Sequence, residues 1–317
     1  MSSIPVSVYA QTPWNPYTLD PAGKWRQWFQ WRVSEIIGFS PWADPIPGWH
    51  PAAGAYLDLY SIQKDPSKNW MTMPPDWQLY DASGNPLYIP WGCANGTCPQ
   101  YAADIRHPGY IAAWLGRVAQ LRDLKYKILY VDDVNLDGQI SDGNGTLVMP
   151  PGMTNDLWSA AVCDLLGKVR SQFPDLTIVH NPVWYSRSSY VQVEQQLADL
   201  IDVERGYGDP NLTPQTSVNL LRFVQGSKKP VLQMEYTKDN LAYKIACFLL
   251  GYRPGNRMAV LDLFPDAWDL AMDVDFGQPL EPPRDCSGNG RIVWNRDFSL
   301  VSVFVDFTAK TGTVTTL

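Results

Sequence analysis

The chain has 317 residues, of which 45% are hydrophobic and 18% charged, and a net charge of −7. That length holds a full (β/α)8 barrel with a small appendage, or two ordinary domains. The acidic balance, with no dense run of Lys or Arg, argues against a nucleic-acid partner. No segment reaches transmembrane length, and the N-terminus lacks the basic-then-apolar layout of a secretory signal. The sequence is then that of a mature chain or of one delivered by another route, such as packaging on a particle, and an extracellular or particle-associated location is expected rather than a cytoplasmic one.

In chain order, residues 4–10 alternate as a first strand, followed by a loop carrying Trp14. Trp25, Trp28, Phe29 and Arg32 recur at three and four and predict a helix over 23–33. Residues 34–39 predict a second strand, and the Pro- and Trp-dense loop after it carries Trp42. Residues 55–62 alternate strictly as a third strand, with Tyr56, Asp58 and Tyr60 on one face. The connection over 63–101 is too long to be a plain link and is expected to be functional; it carries Trp91. An amphipathic helix over 108–124 then leads to the central strand, Ile128 to Val131, which ends in Asp132 and Asp133.

The alternation continues with a helix over 153–172, a strand ending in His180 and Asn181, and a helix over 190–198. A sixth strand ends in Glu204, just before the turn Arg205-Gly-Tyr-Gly208, which is expected to be flexible. A seventh ends in Glu235 and an eighth carries Asp262, with helices between them. Eight strand signals with mostly helical connections predict an α/β fold, a (β/α)8 TIM barrel over 1–275. Residues 276–317 predict a small C-terminal antiparallel β extension on it.

Acidic residues at strand ends are the constellation. In a parallel barrel those ends converge on one pocket, where one carboxyl can be protonated and another ionised, as glycosidic cleavage requires. Alternation along the strand turns only Asp132 inward if Ile128 and Tyr130 point inward, and turns Asp133 the other way. Asp132 is expected as nucleophile or base and Glu204 as general acid. Asp58, Tyr60, Asn181, Glu235 and Asp262 are expected as substrate-binding or supporting residues, with Trp14, Trp42 and Trp91 as sugar platforms. The aromatic bias, 14 Trp and 16 Tyr against 10 Phe, suits stacking on sugar rings but equally suits a large core. The competing reading of Glu204 and Glu235 is structural ion pairing with Arg205, Arg253 or Arg257.

Five motifs resemble those of a broad hypothetical group of TIM-barrel glycoside hydrolases. Residues 77–87, Trp-Gln-Leu-Tyr-Asp-Ala-Ser-Gly-Asn-Pro-Leu, resemble its W-x-L-x-D-x-x-G loop, and 104–110 its D-x-x-x-P-x-Y segment. Residues 130–135 are similar to its F-L-D-D-V strand, and 203–206 to its later strand-end Glu. Residues 290–306 resemble its closing β pair, with Leu300 in place of Gly and Asp306 in place of Asn. The resemblance covers the chain from about Asp58 onward and implies hydrolysis of a polysaccharide with Asp132 and Glu204 as the acidic pair.

Asp133, Asn135 and Asp137, followed by Gly138 and Ile140, match the start of a calcium loop, but its twelfth position is Asn144, so the ligand set is incomplete and a surface turn competes. No cofactor or metal is expected. Cys93 and Cys98 can close a small disulfide ring, whereas Cys163 and Cys247 lie in apolar helical patterns. The expected partner is a polysaccharide or oligosaccharide. The alternative from another class is a non-catalytic carbohydrate-binding or adhesion module on a degenerate barrel, as part of a phage tail or surface assembly.

Overall fold

The structure is a computed structural model that describes residues 4–10, 24–39, 50–261 and 270–317. Parallel strands alternate with helices along the chain, a mixed α/β architecture of TIM-like type. In chain order the elements begin with β1 (Val6–Ala10), α1 (Lys24–Arg32), β2 (Glu35–Phe39), β3 (Ala53–Asp58), β4 (Ser61–Gln63) and β5 (Gln100–Ala102). There follow α2 (Pro108–Asp123), β6 (Ile128–Asp132), α3 (Asn155–Gln172), β7 (Thr177–His180), α4 (Val191–Leu197), β8 (Leu200–Val203), α5 (Pro214–Gly226) and β9 (Val231–Glu235). The last are α6 (Leu241–Gly251), β10 (Arg257–Leu261), β11 (Arg284–Asp285), β12 (Val293–Asp297), β13 (Val301–Asp306) and β14 (Thr311–Thr316). No helix among the described residues is long and apolar enough to cross a membrane.

The chain divides into two compact units, residues 39–48 and 53–199 in one and the remainder in the other. In the first of these, β3, β6 and β7 lie side by side and parallel, with Asp58 opposite Asp132 in the register. The strand expected over 55–62 breaks at Asp58. Its Oδ1 accepts the backbone N–H of Tyr60 at 2.9 Å and of Ser61 at 2.7 Å, which turns the chain and starts β4. β4 pairs antiparallel with β5, so the long connection carries its own ladder, closed near its tip by a Cys93–Cys98 disulfide. Pro108 opens α2 behind His107, whose Nδ1 accepts the N–H of Gly109.

Trp114 of α2 and Trp158 of α3 are fully buried, and both indoles donate to backbone carbonyls beside the strand ends, Trp114 to Asp58 and Trp158 to Asn135. For these two tryptophans the aromatic bias belongs to the core.

In the other unit, β8, β9, β10, β1 and β2 run parallel in that spatial order. Helix α6, Leu-Ala-Tyr-Lys-Ile-Ala-Cys-Phe-Leu-Leu-Gly, is apolar all round and therefore needs cover on every side. The antiparallel sheet β11-β12-β13-β14 supplies it. Gly312 lets β14 come close, since a Cβ there would stand 2.5 Å from that of Ala246. Arg296 of β12 donates to the carbonyls of Leu249, Leu250 and Tyr252 at the C-terminal end of the helix. Cys163 and Cys247 are buried thiols and Cys286 is exposed.

Candidate active site

Three neighbouring strands of one unit end at a common level, and their last residues form a polar cluster. Asp58 closes β3 and Asp132 closes β6 in register with it. Asn181 directly follows β7, held there because its N–H donates to Val131 and its carbonyl accepts from Val134. Neighbouring parallel strands stand about 4.8 Å apart, so equal strand ends bring their side chains into contact.

Asp133 enters the cluster by a different route. Its φ is +54°, in the left-handed region, which ends the face alternation of β6. The two aspartates therefore do not point opposite ways, as strict alternation predicted. Carboxylate oxygens of Asp58, Asp132 and Asp133 lie within 4.8 Å of one another.

The hydrogen bonds divide the three acids. Asp132, half-buried, accepts from Asn181 Nδ2 at 2.7 Å, from the N–H of Asp133 at 2.8 Å and from the Tyr56 hydroxyl at 2.5 Å. The Tyr56 ring is held by stacking on Tyr130, with centroids 6.0 Å apart. Asp133, 8% exposed, accepts from Trp91 Nε1 at 3.2 Å and from Asn135 Nδ2 at 2.9 Å. Burial, and then the charge of Asp132, push the Asp58 carboxyl up to about 7. Burial, and then the charges of Asp58 and Asp132, hold the Asp133 carboxyl well above the ordinary range, and its side chain bonds that of Asp58. Both shifts favour the protonated form within the Asp58–Asp133 pair, and Asp132 stands beside it as an oriented acceptor.

These three carboxylates are the group among the described residues with the spacing to hold a cation. Of the calcium-like stretch, Asp133 belongs to this group, Asn135 turns its amide toward Asp133 and the Tyr60 hydroxyl, and Asp137 is not a member of it.

In the second unit Glu204 follows the end of β8 and is half-buried, with the Tyr236 hydroxyl donating to its Oε1. The chain then turns through two left-handed residues, Arg205 at φ +62° and Gly206 at +48°. This turn is not loose. Glu235 Oε1 accepts the N–H of Tyr207 and Oε2 that of Gly208, both at 3.0 Å. A Cβ on Gly206 would stand 2.2 Å from Glu235 Oε1, and one on Gly208 2.6 Å from Oε2, so both positions need glycine. Gln233 also donates to Glu235, and Lys244 stands 3.8 Å away. Burial pushes the Glu235 carboxyl up to about 7 in spite of these partners.

The expected site residues therefore separate. Asp58, Asp132 and Asn181 meet at adjoining strand ends. Trp91 is 53% exposed, with its N–H on Asp133. Tyr60 and Glu235 are both fully buried, which corrects a reading of either as a sugar contact. The Tyr60 hydroxyl donates to the Gln139 carbonyl, and Glu235 braces the Glu204 turn. The arginines named as competing partners go elsewhere: Arg257 pairs with Glu35, Arg253 caps carbonyls at the end of α5, and Arg205 lies over the Tyr236 ring. Asp262, Trp14 and Trp42 lie outside the described residues. Sequence reasoning missed Tyr56 and Asp133 as members of the cluster. The signal for Tyr56 was its place two residues before Asp58 on the same face.

No protein-family model matches the sequence, and no curated protein is similar to it at the level of sequence. Solved structures are similar. The glycoside hydrolase domain of PelA from Pseudomonas aeruginosa superposes with a TM-score of 0.54 at 16% identity, over 86% of this chain and 97% of that one. The chain has the fold of glycoside hydrolase domains. An α-galactosidase from Lactobacillus brevis gives 0.56 at 9% identity, over 96% of this chain and 46% of that one. The GH36 α-galactosidase AgaA from Geobacillus stearothermophilus gives 0.51 at 9% identity, over 96% and 47%. The chain thus spans about half the length of these α-galactosidases.

Proposed function

We propose that the protein is a glycoside hydrolase that cleaves a polysaccharide by a two-carboxylate mechanism, on a closed (β/α)8 barrel over residues 1–275 extended by the sheet of residues 276–317. The observation that carries this reading is the treatment of Asp132. Three donors converge on a half-buried carboxylate at a strand end, beside two buried acids whose carboxyls are held above their ordinary range. That arrangement fixes the direction of one carboxylate and leaves it able to attack an anomeric carbon or to take a proton from water.

Glu204 is the partner acid. It protonates the leaving glycosidic oxygen as the bond breaks, and the Tyr236 hydroxyl fixes its carboxyl. In a retaining sequence Asp132 forms the glycosyl ester and Glu204 then deprotonates the incoming water. In an inverting one Asp132 takes the proton of that water directly. Either sequence requires the two carboxyls roughly 5–10 Å apart. Trp91 offers one sugar a flat apolar face. Similarity of fold to glycoside hydrolases supports this reading, and action on a polymer agrees with an extracellular or particle-associated location.

The test is reducing-sugar release from a panel of polysaccharides by wild type, Asp132→Asn and Glu204→Gln, with circular dichroism to confirm folding. Release by wild type that falls at least a thousandfold in both variants is expected. Undiminished release in either folded variant refutes the assignment of that residue.

A further inference from the structure

Trp184 and Tyr185 occupy an unusual position. The N–H of Ser186 donates to the carbonyl of Val183 at 2.9 Å, so the two aromatics fill the centre of a tight turn. Such positions favour Gly, Pro, Asn, Asp and Ser. Tyr185 is 68% exposed, and its ring meets that of Trp184 edge-on, with centroids 5.3 Å apart at 89°. Two large rings at the tip of a surface turn break the local rule, and Tyr185 leaves apolar area in water, the kind of violation that marks a functional surface.

The turn is held in place. Ser188 shares a hydrogen bond of 2.9 Å with Ser159 Oγ, which donates in turn to the carbonyl of Leu136. That carbonyl belongs to the segment that follows Asp132 and Asp133. The turn is also near the acids. Asn181, whose amide holds Asp132, precedes Trp184 by three residues, and three residues span at most about 11 Å. Rings with an apolar face and a polar edge, on a turn three residues from the amide that holds Asp132, suit the sugars that flank a cleaved bond.

We infer that Trp184 and Tyr185 form a second aromatic subsite, in addition to Trp91, for consecutive units of a glycan chain. This rests on the glycosidase reading and extends it. Asp132 is linked by hydrogen bonds to Asp133, which holds the Trp91 indole, and to Asn181, which leads into the Trp184–Tyr185 turn. Two aromatic platforms linked to one carboxylate suit several consecutive units of a polymer rather than a single sugar.

Affinity electrophoresis through gels containing carboxymethyl cellulose, galactomannan, glycol chitosan, dextran or pectin tests this without requiring cleavage. Wild type, Asp132→Asn, Tyr185→Ala and the double variant Trp184→Ala/Tyr185→Ala are compared, with melting temperatures as the folding control. Tyr185→Ala alone removes an exposed ring and keeps the test valid if the double variant fails to fold. At least one polysaccharide is expected to retard wild type and Asp132→Asn alike, with at least fivefold weaker retardation for Tyr185→Ala. Hexasaccharide fragments of that polymer should compete at least tenfold better than disaccharides against wild type, and lose the advantage against Tyr185→Ala. Equal retardation of wild type and Tyr185→Ala overturns the proposal, as does the absence of retardation by every polymer. Binding that depends on Tyr185 without any reducing-sugar release preserves the subsite and removes the hydrolase reading instead.

Discussion

Asp58→Asn isolates the electrostatics of the acidic cluster. The Asp58 carboxyl rises from an ordinary 3.8 to about 7, through burial and then the charge of Asp132. Between those values the folded protein holds a proton that the unfolded chain has released, so stability falls as pH rises from about 4 to about 7, and the penalty is complete above that. Each tenfold change in proton affinity corresponds to about 1.4 kcal/mol, which sets a ceiling of about 4 kcal/mol. Because Asp133 shares the proton, about 2 kcal/mol is the expected share of Asp58. Asparagine has the same shape, its carbonyl can still accept from the N–H groups of Tyr60 and Ser61, and it carries no charge. The variant should therefore match wild type at pH 4.5 and exceed it by about 2 kcal/mol at pH 8, with a flatter profile between. Urea unfolding at four pH values measures this. A variant that is equally destabilised at every pH, or one whose profile keeps the wild-type slope, would refute the shared-proton account.

Tyr56→Phe removes one donor from Asp132 and nothing from the strand register. A hydrogen bond to a charged group is worth about 1.5–3 kcal/mol, so kcat on a released glycan should fall about 10- to 100-fold with little change in melting temperature. Gly206→Ala forces a methyl group onto Glu235 and should cost about 2–4 kcal/mol in chemical denaturation. The control Gly167→Ala, in the interior of α3 with nothing within 4 Å of the new atom, should gain about 0.5–1 kcal/mol. Replacing Cys93 and Cys98 by Ser opens a ring of five-residue separation and should lower stability by about 2 kcal/mol, read as a shift in the urea midpoint.

The parallel strands and the helices between them were legible because each is a continuous or periodic apolar run closed by a polar residue, as in Ile128 to Asp132. The same regularity placed Asp132 and Asn181 at strand ends, where parallel pairing makes neighbours of them, whereas Asp58 was expected inside a strand that in fact ends at it. What alternation could not supply was the fate of Asp133. One residue in the left-handed region reverses the direction of a side chain, and nothing in the local composition announces that Asp133 rather than Asn135 takes it. Tyr60 and Glu235 show the same limit from the other side. Both occupy positions that read as pocket-facing, and only the packed structure shows that their polar atoms go to backbone groups.

The motifs that carried the family resemblance hold loops in place as much as they carry chemistry. Asp81 accepts from the N–H groups of Ser83 and Asn85 and from the Asn85 amide, which folds the turn after Trp77. Trp77 itself packs against Tyr110, and Gly109 is bare where a Cβ would stand 2.9 Å from its indole nitrogen. Asp306, which replaces Asn in the closing β pair, accepts from Arg291 and from the N–H groups of Thr308 and Ala309. The substituted carboxylate thus keeps the acceptor role that a turn needs and adds an ion pair across the sheet. A pattern of this kind fixes the frame on which strand ends converge. The proposed chemistry depends on which of those ends carry acids, and on how each acid is held.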